Sequence, residues 1–68
     1  MSVYKFIELV GTSESSWEEA AKAAVEAASK SLRGIRIAEV IQMDMTVDGG
    51  KVALFRTKVK VSFKYEGV

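Results

Sequence analysis

The chain of 68 residues contains neither cysteine nor histidine. Disulfide bonds are therefore excluded, and so are the usual zinc ligands. The commonest general base is missing, together with every Cys–His and Ser–His nucleophile pair. A domain of this size buries only about 60% of the surface that its unfolded chain exposes. Of the usual ways to stabilise a small scaffold, oligomerisation is the one that remains.

The sequence also lacks a charge excess and a long apolar run. Ten basic and nine acidic residues give a net charge of +1, which does not indicate binding to nucleic acid or to an anionic membrane. No apolar run approaches the roughly 20 residues of a membrane span, and Lys5 and Glu8 interrupt the first apolar stretch. With no signal peptide recognisable and no cysteine, we expect a cytoplasmic protein.

The first half of the chain predicts a strand followed by a helix. Residues 2–10 are rich in β-branched and aromatic side chains and precede Gly11, which predicts a strand. Ser16 and Glu19 have the spacing of a capping box, and Ser15 with Glu18 is an equally spaced alternative. We expect Lys30 and Arg33 in the last helical turn and Gly34 as the residue that ends the helix.

The second half predicts a long β-hairpin. Residues 35–47 and 51–65 alternate as strands, and Asp48-Gly49-Gly50 suits a tight turn between them. The predicted fold of residues 1–68 is a single α+β domain of order β-α-β-β, with a three-stranded antiparallel sheet packed on one helix. The hairpin strands are about twice the typical length. They should extend beyond the helix and expose apolar surface to partner subunits.

Motifs for catalysis are absent from the sequence. It has no P-loop, GxGxxG, HExxH or EF-hand pattern, and we expect a binding protein without enzymatic activity. Glu39 is the only acid embedded in an apolar strand. We interpret it as one partner of an ion pair with an arginine in preference to a catalytic group. We interpret the basic row from Arg56 to Lys64 as a solvated strand face that discourages edge-to-edge aggregation.

Three segments resemble the dodecin family: VYKFIELVGTSESSWEEAAKAAVEAA, IRIAEV and FRTKVKVSFKY. The resemblance as a whole covers nearly the whole chain without an internal gap. The resemblance implies a hollow homododecamer of β-α-β-β subunits, in which subunit contacts supply the missing stability. It also implies a small-ligand store, since most dodecins bind flavins such as riboflavin or FMN without using them for catalysis.

The same resemblance places Ile37, Glu39 and Arg56 at the flavin-pocket positions. Flavin-binding dodecins usually carry tryptophan where this chain has Ile37, and its indole stacks on the flavin ring. They usually carry glutamine where this chain has Arg56. Isoleucine has no π-face, and arginine donates hydrogen bonds but cannot accept them. Arg36 and Glu39 are expected to pair across subunits along this pocket.

A subgroup known as calcium dodecins resembles the chain more closely, through MSVYK, GTS-x-x-SWE, DM-x-VD and FR-x-K. This resemblance implies a calcium site, for which Asp44 and Asp48 are the candidate ligands, although Asp48 also suits the turn. Three functions remain open at this point. They are a flavin-independent, calcium-type dodecin, a flavin store with an atypical pocket, and a purely structural assembly.

Overall fold

The computed structural model describes residues 2–65. Its elements are β1 (Tyr4–Ser13), α1 (Trp17–Ser29), β2 (Ile35–Asp48) and β3 (Lys51–Lys64). The predicted order β-α-β-β and the antiparallel sheet are confirmed. Among the described residues, no helix is both long enough and apolar enough to cross a membrane.

The start of α1 is as predicted, but its end is not. Ser16 is the N-cap, and its Oγ accepts a hydrogen bond of 3.0 Å from the backbone N–H of Glu19. The helix ends at Ser29, so Lys30 and Arg33 lie beyond its last turn. The N–H groups of residues 30 and 31 bond to carbonyls three positions earlier. Such bonds tighten the last turn and end the helix before Gly34, whose φ is 73°.

The strand order in the sheet is β1-β3-β2, which makes β3 the central strand. The interpretation of its basic row as protection for a sheet edge is therefore wrong. Lys58 and Lys60 are half-buried, and Ser62 is buried between strands on both sides. A central strand has no free edge to protect, so these cations act on a face of the sheet.

The core forms where α1 lies across the sheet. Ala24 and Ala28 pack against Val59 and Val61 of β3. The prediction that β1 ends at Gly11 is wrong, since the strand continues through this residue to Ser13. A Cβ at position 11 would stand 1.9 Å from the carbonyl oxygen of Ala20. The glycine therefore allows close contact between the helix and the strand.

The hairpin of β2 and β3 extends beyond the rest of the fold. Its turn residues, Gly49 and Gly50, have φ of 58° and 78°, as a type I′ turn requires. The ladder between β1 and β3 reaches only to the pair Ser13–Phe55. Residues 46–54, called the hairpin arm below, therefore protrude beyond β1. The described chain measures 51 × 19 × 14 Å, which confirms the predicted overhang.

Candidate functional site

The face of the sheet turned away from α1, called the open face below, carries four of the five predicted site residues. Val59 and Val61 point towards the helix, and side chains alternate along a strand, so their neighbours on β3 point to the open face. The strand ladders place side chains there in four rows: Phe6–Ser62–Ile37, Glu8–Lys60–Glu39, Val10–Lys58–Gln42 and Thr12–Arg56–Asp44.

Asp44 and Arg56, which were assigned to two different sites, form one ion pair. Nε of Arg56 donates to Oδ1 of Asp44 at 2.7 Å, and Nη2 donates to Oδ2 at 3.0 Å. These hydrogen bonds hold the pKa of Asp44 below its usual range and raise that of Arg56. Each carboxylate oxygen thus accepts one hydrogen bond from the guanidinium group. A cation at Asp44 has to compete with the guanidinium group.

Asp44 and Arg56 line a small polar cavity of about 80 Å³, and Val10, Gln42 and Lys58 complete its lining. Nζ of Lys58 also lies 3.9 Å from Oε1 of Glu8. The sequence did not single out Gln42 or Lys58 as site residues. Their positions follow from the register of the ladder, and a correct alignment of β2 on β3 is the signal that identifies them.

Ile37 lies at the other end of the open face, beside an apolar slot of about 380 Å³. Its side chain is 65% exposed. Phe6 and Tyr4 of β1 also line the slot, and Ser62 occupies the central strand between Phe6 and Ile37. A small side chain between two large ones leaves a depression in the sheet surface. This depression is apolar and open to an incoming ring or side chain.

Glu39 is exposed and stands in register with Lys60 on the central strand. Nζ of Lys60 lies 5.2 Å from the centre of the Phe6 ring. Within residues 2–65, the salt bridges of the chain do not include one between Glu39 and Arg36. The expected pairing of these two residues across subunits stays a prediction.

The second candidate cation ligand, Asp48, lies at the end of the hairpin arm in register with Lys51. It is four residues from Asp44 along β2, which corresponds to about 13 Å in an extended strand. One chain therefore does not bring these two carboxylates to the same cation. Among residues 2–65, groups of three or more acidic side chains suited to a metal ion are absent.

Trp17, the first residue of α1, bonds to the backbone of Asp44. Its indole Nε1–H donates to the main-chain oxygen of Asp44 at 2.9 Å. The hydroxyl of Thr57 donates to the main-chain oxygen of Trp17, also at 2.9 Å. The indole packs edge-on against Phe55, with ring centres 5.0 Å apart. Nothing in the sequence indicated this bond between Trp17 and Asp44.

On the helix side, an apolar groove of about 280 Å³ separates α1 from β2. Val25 of the helix and Val40 of β2 stand on its two walls, and Val59 forms part of its floor. Val40 is 50% exposed. The helix thus covers β1 and β3 and leaves much of the apolar surface of β2 uncovered.

Comparison with known proteins gives a consistent result along the chain. The family model described as Dodecin matches residues 3–66. A calcium dodecin of Mycobacterium tuberculosis is 52% identical over 94% of this chain and 90% of its own length. A dodecin of Thermus thermophilus is 39% identical over 94% and 93%, respectively.

The same similarity extends to three-dimensional structure. A crystal structure of a calcium dodecin from Mycobacterium tuberculosis, described as a calcium-chelating antigen with a novel calcium-binding site, has a TM-score of 0.86 to this chain. The two are 51% identical, and the match covers 97% of this chain and 94% of the other.

Proposed function

Because this chain belongs to the dodecin family, we propose that it forms a non-enzymatic homododecameric shell that binds calcium and does not depend on flavin. The observation that carries the proposal is the open face. There Ile37, expected at the flavin-stacking position, is exposed, and Arg56, expected at the second pocket position, is already paired with Asp44.

The apolar surface supports the assembly. Residues 2–65 include twelve large hydrophobic side chains that are at least 40% exposed, against five buried hydrophobic residues, of which three are alanines. Apolar surface of this extent is typical of an interface between proteins. The groove beside Val40 and the hairpin arm add further places for a neighbouring subunit to pack.

The chemistry of the flavin-pocket positions supports flavin independence. Ile37 offers dispersion but lacks the aromatic face that adds about 0.5–1.5 kcal/mol to ring stacking. Arg56 is held by Asp44 in a two-fold hydrogen bond. To contact a flavin, Arg56 has to leave this partner, and it still offers no acceptor.

The similarity to the calcium dodecin and the acidic residues of β2 support a cation site. Calcium takes six to eight oxygen ligands, whereas the two candidates of one chain lie about 13 Å apart. The proposed site therefore draws Asp44, Asp48 or both from several subunits, together with main-chain oxygens and water. Symmetry axes of a closed oligomer bring identical residues together in this way.

One observation favours a second function, the storage of a flavin in an atypical pocket. The slot between Ile37 and Phe6 is apolar, and it carries the exposed aromatic rings of Tyr4 and Phe6. These rings offer π-faces close to the position where the family usually has tryptophan. Riboflavin or FMN binding is thus the alternative that the experiments below must separate from calcium binding.

The test of the cation site is the melting temperature of the assembly in chelator, magnesium and calcium. A site with a Kd of roughly 1 mM stabilises the folded form by about 1.4 kcal/mol at roughly 10 mM calcium. We expect calcium to raise the melting temperature more than magnesium does, because magnesium sheds its water reluctantly. Asp44→Asn should reduce the rise more than Asp48→Asn does.

Two further variants sharpen this experiment. Arg56→Gln removes the competing guanidinium group, so it should increase the calcium-induced rise if Asp44 is a ligand. Glu26→Gln removes one negative charge from the exposed side of α1 and should leave the rise unchanged. Identical melting curves in all three solutions would refute the cation site without bearing on the assembly.

A further inference from the structure

The contacts of Trp17 point to a role beyond packing. β2 is an edge strand of the sheet, so within residues 2–65 the carbonyl groups on its outer side have no partner strand. The main-chain oxygen of Asp44 instead accepts the indole N–H at 2.9 Å. We propose that Trp17 is a positioning residue, which fixes the backbone of Asp44 and so holds its carboxylate between the two donors of Arg56.

The anchorage of Trp17 makes this possible. Its main-chain oxygen accepts from Thr57, a buried residue of the central strand, at 2.9 Å. Ser16, the residue before it, caps the helix. The indole ring also packs on Phe55 of β3. The donor is thus held by α1 and by β3, while the acceptor lies on β2.

The geometry of the ladder connects this bond to the ion pair. Asp44 stands opposite Arg56, and the neighbouring pairs are Met43–Thr57 and Met45–Phe55. Trp17 therefore contacts the residues on both sides of Arg56 and the backbone of its partner. A two-fold hydrogen bond between carboxylate and guanidinium needs both groups in one orientation. A shift of the Asp44 backbone therefore disturbs the orientation of its carboxylate towards Arg56.

The consequence is that Trp17 sets how readily Asp44 leaves Arg56. The hydrogen bond that Nε–H of Arg56 donates to Oδ1 of Asp44 at 2.7 Å reports this directly. With the indole bond lost, the carboxylate spends less time between the two donors, so the Nε–H proton of Arg56 exchanges faster with water. If calcium binds at Asp44, which rests on the proposed function, the same loss reduces the competition that calcium meets.

The experiment follows the side-chain Nε–H signal of Arg56 by NMR, without added metal. The chain has three arginines, Arg33, Arg36 and Arg56, so three such signals are expected. Trp17→Phe keeps a ring against Phe55 and removes the donor. We expect it to speed the exchange of the Arg56 Nε–H proton with water, whereas Ser16→Ala, which weakens the helix cap and keeps the indole, should not. An unchanged exchange rate of this proton in Trp17→Phe overturns the proposal.

A second measurement needs no variant at position 17. Trp17 is the only tryptophan of the chain, so the indole N–H gives one resolved proton signal. Its chemical shift should change in Arg56→Gln, because release of the carboxylate moves the backbone of Asp44 that accepts the indole N–H. An unchanged indole signal in Arg56→Gln contradicts the coupling. Failure of calcium to bind leaves both measurements intact and refutes only the calcium site.

Discussion

At the scale of single residues, the open face combines groups that were assigned to separate sites. Arg56, considered as a pocket residue, and Asp44, considered as a cation ligand, are partners in one ion pair. Their side chains are 44% and 40% exposed, so solvent screens the attraction and the pair adds little to stability. Its importance is that each group limits what the other can bind.

The first prediction concerns flavin. Ile37→Trp should increase the affinity for riboflavin about fivefold, because one aromatic stack is worth about 1 kcal/mol. The double variant Ile37→Trp/Arg56→Gln should bind more tightly again, since glutamine both donates and accepts. Quenching of riboflavin fluorescence measures both affinities.

Ile41→Trp provides the matched control for the flavin experiment. It adds the same ring to another exposed position of β2 and should not change the affinity. Submicromolar binding of riboflavin by the unaltered chain would establish the flavin store instead of the calcium-type function.

The second prediction concerns acid stability. The folded-state pKa of Asp44 lies below its ordinary value, with Arg56 as the main cause. The resulting stabilisation is present above the unfolded-state pKa of about 4 and is lost as pH falls through the lower folded-state pKa. Asp44→Asn should therefore show a flatter dependence of unfolding free energy on pH below about 4, measured by denaturant titration.

The partner residue tests the cause of this acid dependence. Arg56→Gln should flatten the curve as Asp44→Asn does, and the double variant should flatten it no further, since both changes remove one interaction. A full acid dependence in Arg56→Gln would show that the lowered pKa of Asp44 has another source.

At the scale of elements, the sequence predicted what local chemistry decides. Ser16 caps α1 and Gly49-Gly50 turns the hairpin, because a side-chain acceptor and two positive φ angles are local requirements. The central position of β3 in the sheet could not be predicted from such local requirements. The alternation of side chains determines the faces of a strand but not its neighbours. The bond from Trp17 to Asp44 joins residues 27 positions apart and has no local signature.

The third prediction concerns the contact between β1 and α1. Gly11→Ala places a methyl group 1.9 Å from the carbonyl oxygen of Ala20, so strand or helix has to move. We expect a loss of about 3 kcal/mol or more, at the upper end for overpacking, measured by urea denaturation. Thr12→Ala, at the next and exposed position of β1, should cost less than about 1 kcal/mol.

A wild-type unfolding midpoint in Gly11→Ala would show that α1 is free to lift from the strand. That result would contradict the close packing of Ala20 and Ala24 against Gly11.

At the scale of the whole molecule, the exposed large hydrophobic residues are more numerous than the buried hydrophobic residues of the core. The largest fully buried side chains among residues 2–65 are Val59, Val61 and Thr57, and a core of this size is marginal for a free domain. Most of the exposed apolar residues lie on β1 and β2, the two outer strands. Both sides of the sheet therefore favour contact with other copies.

The fourth prediction concerns the assembly. Sedimentation equilibrium should give a particle of twelve times the 7.4 kDa chain mass. Its melting temperature should rise with protein concentration, because association stabilises the folded form by mass action. A stable folded monomer at micromolar concentration, with a melting temperature independent of dilution, would contradict the dodecameric shell.

The central position of β3 also determines when the sheet can form during synthesis. β3 is the last of the four elements to be made, and both other strands pair with it. A nascent chain that ends before residue 51 has no partner strand for β1 or for β2. The hairpin of β2 and β3 can close locally once β3 emerges. The pairing of β1 with β3 forms more slowly, because the contact of Tyr4 with Lys64 closes a loop of 60 positions. The ribosome-bound chain thus carries two unpaired apolar strands until β3 has emerged.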